Sequence, residues 1–125
     1  MNFSRLCRLA FWGALLFSFV MAVLPQPPSV PGDPTDKTLH LLAFATLGVL
    51  GSLGWPAMRW WALFGLLCAF GGLIEIVQMI PSLGRDAQWS DLAADCIAAL
   101  LSTGGMAAIR HLRIARRGGA GASDA

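Results

Sequence analysis

Apolar residues dominate the chain in four runs, at about residues 9–24, 39–55, 60–80 and 92–109. Prolines, glycines and charges break each run from the next. At a rise of about 1.5 Å per residue, each run spans or nearly spans a hydrocarbon core of roughly 30 Å. The second is the shortest and must borrow residues from its flanks. The pattern predicts an all-α fold: a polytopic membrane protein with four transmembrane helices in an up-down bundle.

The breaks carry their own signals. Residues 25–34 hold five prolines in ten positions, which no helix accommodates, so this segment reads as an extended surface loop. Asp33 or Thr35 can open the second helix, with Asp36 in its first turn. Gly54, Trp55 and Pro56 predict a tight turn that sets the second and third helices side by side and antiparallel. Trp55, Trp60 and Trp61 fall where indoles prefer to sit, at a membrane interface. Pro81 ends the third helix, and Ser90 is the expected N-cap of the fourth, with Asp91 in its first turn. Residues 118–125, rich in Gly and Ala, read as a disordered tail. The first run follows Arg5 and Arg8 and has a rival reading as a signal peptide. Its core is long for that, and Val20, Met21 and Ala22 make a poor cleavage site, so it is taken as a span.

Composition agrees with the membrane class. Of 125 residues 56% are hydrophobic and 13% charged, and the mean hydropathy is +0.64, far above a soluble domain. A single domain over residues 1–125 is expected. The net charge of +2 is small, but its distribution sets orientation. Arg5, Arg8, Arg59, Arg110, Arg113, Arg116 and Arg117 all fall on one side of a four-span chain. Asp33, Asp36, Lys37, Arg85, Asp86 and Asp91 fall on the other. The positive excess marks the first side as cytoplasmic, with both termini there. These basic ends read as cytosolic anchors, and no basic face for nucleic acid is present. Cys7, Cys68 and Cys96 show no CxxC or paired spacing and read as small packing residues without disulfides.

The candidate chemistry lies on the outward side. Glu75 sits inside the third run, where a lone carboxylate is costly unless a neighbour accepts the charge or holds the proton. Arg85 and His40 are the candidate neighbours. Asp36 and His40 are four apart on one helical face, which Phe44 continues. Glu75 and Gln78 are three apart on one face, and Asp91 and Asp95 are four apart at the head of the fourth span. Up-down topology brings all of them to one depth. His40 and Glu75 are the candidate proton-handling residues, with Asp36 orienting the imidazole. Arg85, after a permissive Gly84, is the candidate clamp for a phosphate or carboxylate. Lys37, Gln78, Asp91 and Asp95 complete the candidate binding set. Several have a plain structural reading as well: a register-fixing polar network for Glu75, lipid head-group contact for Lys37, helix-dipole compensation for Asp91, whereas Asp95, a full turn deeper, is harder to dismiss. No metal site is expected, because His111 falls on the opposite side and no HExxH or Cys pair occurs. No GxSxG occurs, and no cofactor is implied. Small residues at Gly65 and Ala69, at Cys68 and Gly72, and at Ala93, Ala94, Ala98 and Ala99 are expected to permit close helix packing. Self-association through such residues is open.

These residues resemble the VanZ-like family of small bacterial membrane proteins. Asp36-Lys37-Thr38-Leu39-His40, followed by Phe44, matches the family's DKxxH element. Glu75-Ile76-Val77-Gln78 matches ExxQ, and Gly84-Arg85, Trp89 and Asp91 follow in order. The family then usually has an alanine-asparagine pair and a glycine; here Ala94-Asp95 and Ala98 stand instead, adding a carboxylate. The resemblance covers about residues 36–105. It implies residence in the bacterial cytoplasmic (inner) membrane and a cell-envelope role, the family name coming from a protein linked to teicoplanin resistance. It supplies no reaction.

Two functions remain open on the sequence. One is an enzyme or binding protein for an anionic, lipid-linked head group on the outer leaflet. The other is a structural or accessory envelope protein whose polar network fixes the bundle and presents loops to a protein partner. A transporter ranks last, since it needs a polar path to the cytosolic side and no charged residue lies deep in the inner half.

Overall fold

The computed structural model describes residues 1–25 and 34–122, with the side chains of residues 34–36 and 120–122 outside the description. Four α-helices follow in order: α1 (Phe3–Val23), α2 (Pro34–Gly54), α3 (Trp60–Gln78) and α4 (Trp89–Ala122). A short 3₁₀ turn, Pro81–Leu83, lies between the last two. The described residues contain no strand, and all four helices are long and apolar enough to cross a membrane. The loop expected at residues 26–33, the Asp33 cap and residues 123–125 lie outside the described residues.

Helix ends follow local chemistry. Asn2 caps α1, its Oδ1 accepting from the Ser4 amide at 3.3 Å. Pro34 opens α2, where its missing N–H costs nothing and its fixed φ suits a helix. Pro81 begins the 3₁₀ turn, which closes on Gly84 at φ 59° and ψ 31°, a left-handed conformation that favours glycine. The fourth helix starts one residue before the expected Ser90 cap. The Asp91 and Leu92 amides both donate to the Gln88 carbonyl, so Ser90 lies within the first turn. At its other end α4 continues through Gly118 and Gly119 to Ala122, past the start of the tail expected at residue 118.

Contacts at the two ends fix the up-down arrangement. Arg8, early in α1, donates from Nε to the Gly54 carbonyl at 2.7 Å and lies over the Trp55 ring. Arg110 of α4 donates to the carbonyls of Pro56 and Ser52 at 2.6 and 3.1 Å. Both arginines thus satisfy carbonyls around the α2–α3 turn. At the other end Gln78, closing α3, donates from Nε2 to the Ala22 carbonyl near the end of α1 at 3.0 Å. That carbonyl belongs to the last helical turn, which lacks intrahelical partners.

The order around the bundle is α1, α2, α4, α3. The short α2–α3 turn predicts that these two helices lie side by side, and they do touch, but α2 packs most extensively on α4. The reason is the placement of small residues. A methyl group at Gly48 would overlap the Ser102 Oγ, and one at Gly71 would meet Asp95 Oδ2 at 3.0 Å and Leu92 Cδ1 at 3.2 Å. Gly51 approaches Leu63 and Phe11, and Gly54 approaches Arg8. In lipid, helix association rests on such close approach, because tails are as apolar as the side chains. The sequence-expected approaches at Gly65 and Gly72 do not occur, since nothing lies within 4 Å of an added Cβ at either. Ala94, Ala98 and Ala99 are buried as expected, whereas Ala93 is exposed. Phe44, Leu47, Leu67, Ile74 and Ala99 fill the centre. The three cysteines are free, and Cys68 and Cys96 meet across the α3–α4 contact.

Candidate functional site

The polar residues of α2, α3 and α4 gather at the end of the bundle opposite Arg8 and Arg110. His40, one turn into α2, faces α4. Its Nδ1 lies 3.0 Å from Asp95 Oδ1, and both side chains are buried, Asp95 at 0% exposure. Asp95 reaches this position because Gly71 leaves room for it on the α3 side. An ionised Asp95 assigns the ring proton to Nδ1 and fixes the imidazole plane. The expected orienting residue was Asp36, whose side chain lies outside the described residues. Asp95, a carboxylate from another helix, bonds the ring.

Glu75 is 2% exposed. Neither Arg85 nor His40 forms a hydrogen bond with it among the described residues. Its Oε2 accepts from the Gln88 backbone amide at 2.8 Å, and its Oε1 is buried without a hydrogen-bond partner. His40, Asp91 and Asp95 lie within electrostatic reach of it. Gln88 carries no signal in the sequence, since the donor is a main-chain N–H just before α4. Gln78 is buried, and its amide is engaged by the Ala22 carbonyl. Asp91 is buried in the first turn of α4. Lys37 is half-buried in the first turn of the α2 span. Among the described residues, no three His, Cys, Asp or Glu side chains are arranged to hold a metal ion.

Arg85 pairs with none of Glu75, Asp91 and Asp95. It follows the left-handed Gly84, is half-buried, and forms no hydrogen bond or ion pair among the described residues. With His40 it lines a cavity of about 390 Å³ between α1 and α2. Ala14, Phe17 and Met21 of α1, Leu42 and Ala43 of α2, and Ile74 of α3 form much of the wall. None of Glu75, Asp91 and Asp95 lines it. The site therefore has two sides. An acidic cluster lies at the α3–α4 contact, and an apolar cavity whose only titratable lining residues among those described are His40 and Arg85 lies at the α1–α2 contact. His40 joins them, bound to Asp95 on one side and facing the cavity on the other.

Comparison with known protein families, curated proteins and solved structures found no match to this chain.

Proposed function

We propose that this protein is a VanZ-like inner-membrane protein that binds an anionic, lipid-linked head group of the cell envelope at its Arg85–His40 end. The observation that carries the reading is a guanidinium without an ion-pair partner among the described residues, lining a cavity to which no described carboxylate contributes. Taking an arginine partly out of water without a counter-charge is costly, and a phosphate or carboxylate supplies one with matching fork geometry. Carboxylates at the α3–α4 contact would repel an anionic head group, which supports the Arg85 side as its seat. His40, held by Asp95, is the group beside it able to give or take a proton.

The same reading orients the chain. Arg8, Arg59, Arg110 and the basic end of α4 lie away from the site, so the positive-inside rule puts them in the cytoplasm and Arg85 at the outer face. A membrane-impermeant thiol reagent applied to intact cells should label Ser82→Cys and spare Arg113→Cys, in a chain whose own cysteines are replaced by alanine. The reverse pattern would place the site in the cytoplasm.

Native mass spectrometry of the purified protein tests the binding. Anionic lipid should accompany the wild type and be lost from Arg85→Gln at unchanged thermal stability. Identical lipid complements in both would contradict the proposal.

A second reading is favoured by a different observation. The His40–Asp95, Gln78–Ala22 and Gln88–Glu75 bonds each join separate segments. A structural or accessory protein needs only this network. Under that reading Arg85→Gln changes neither lipid content nor phenotype, and His40→Ala lowers abundance.

A further inference from the structure

The cavity wall says more about the ligand than its charge. Two hydroxyl residues, Ser18 and Thr46, line the cavity, and both are turned back on their own helices. Ser18 Oγ donates to the Ala14 carbonyl at 2.8 Å and Thr46 Oγ1 to the Leu42 carbonyl at 2.7 Å. Such back-bonding satisfies the hydroxyl hydrogen and leaves the surface largely apolar. Away from His40, Arg85 and these two hydroxyls, the described wall is made of aliphatic, aromatic and methionine side chains. The lining runs along α1 from Ala14 to Ala22, about 12 Å of helix. A volume of about 390 Å³ is near the lower end of the roughly 300–1,000 Å³ typical of small-ligand sites, too little for a lipid with two full tails.

We infer that the α1–α2 cavity is a seat for one hydrocarbon tail of a phosphate-bearing lipid, with the phosphate at Arg85 and the chain running between α1 and α2 toward Ala14. The inference rests on the head-group reading above and deepens it by naming the tail's place. Charge complementarity chooses the occupant. A cation at one end of an apolar groove matches an amphiphile with one anionic end, and a free anion leaves the groove unfilled. Phe17, Leu39 and Leu42 are exposed beside the groove, so the tail enters sideways from the surrounding lipid.

Photo-crosslinking tests this in the full chain reconstituted in zwitterionic phospholipid nanodiscs. The probe is a single-chain alkyl phosphate with a photoactivatable group near the chain end, run beside the corresponding uncharged alcohol. Mass mapping should place adducts on Ala14, Phe17 and Thr46, well above those on the lipid-facing Leu66, Leu73 and Ile76 of α3. Excess inorganic phosphate should displace little of the probe. Ala43→Phe, which fills the groove, should remove these adducts, and Arg85→Gln should reduce them roughly tenfold or more. Adducts spread evenly over α1, α2 and α3 in the wild type would overturn the tail seat, whether or not Ala43→Phe folds. Full displacement by inorganic phosphate would overturn it too. Groove adducts that are equal for the phosphate and the alcohol, and untouched by Arg85→Gln, would keep the tail seat and remove the head-group reading.

Discussion

His40 Nδ1 and Asp95 Oδ1 lie 3.0 Å apart across the α2–α4 contact, both side chains buried. This bond joins the imidazole that faces the cavity to the helix that carries the acidic cluster. Asp95→Ala removes the acceptor of this buried bond, at a cost of about 1–3 kcal/mol. Asp95→Asn keeps a carbonyl acceptor at the same place and should melt close to the wild type. Thermal unfolding of the three proteins in one detergent measures this. Equal stability of Asp95→Ala and wild type would show that the bond holds nothing together.

Glu75 offers a similar separation of charge from hydrogen bonding. Its Oε2 is the acceptor for the Gln88 amide. Glu75→Gln retains an amide oxygen there and should change stability by less than about 1 kcal/mol. Glu75→Ala strands the Gln88 N–H and should cost about 1–3 kcal/mol. Hydrogen exchange at the Gln88 amide gives the local check, with faster exchange expected in Glu75→Ala alone. Unchanged exchange in that variant would mean that the amide has another partner.

The glycines make a further contrast. Gly71→Ala would press a methyl group against Asp95 and Leu92 at 3.0–3.2 Å, and overpacking of this kind costs about 1–3 kcal/mol. Gly65→Ala meets nothing within 4 Å and lies in a helix interior, so it should be neutral or stabilising by up to about 1 kcal/mol. Melting temperatures that fall equally in both would remove Gly71 from the reasons α3 and α4 approach closely.

The four spans were legible because twenty or so apolar residues in a row have few other structures open to them. The convergence of His40, Glu75, Asp91 and Asp95 at one end was legible too, since it needs only span count and direction. Partner identity was not. Spacing along one helix offers Asp36 as a neighbour of His40 but gives no sign of the contact with Asp95 of α4, which the close approach at Gly71 makes room for. Gln88 escaped notice because a backbone donor has no residue signature. Helix order escaped as well. Small residues occur along every span, and only their facing partners separate the contacting Gly48 and Gly71 from the open Gly65 and Gly72.

Arginine-selective chemical modification addresses the head-group claim most directly. The protein is placed in zwitterionic nanodiscs, a single-chain alkyl phosphate is added in steps, and the rate of dicarbonyl modification is followed at each arginine by mass spectrometry. Arg85 should become protected at ligand levels that leave the exposed Arg116 and Arg117 reacting as before. Modification of Arg85 at a constant rate throughout, or a parallel slowing at all three arginines, would contradict an anion site at the cavity mouth.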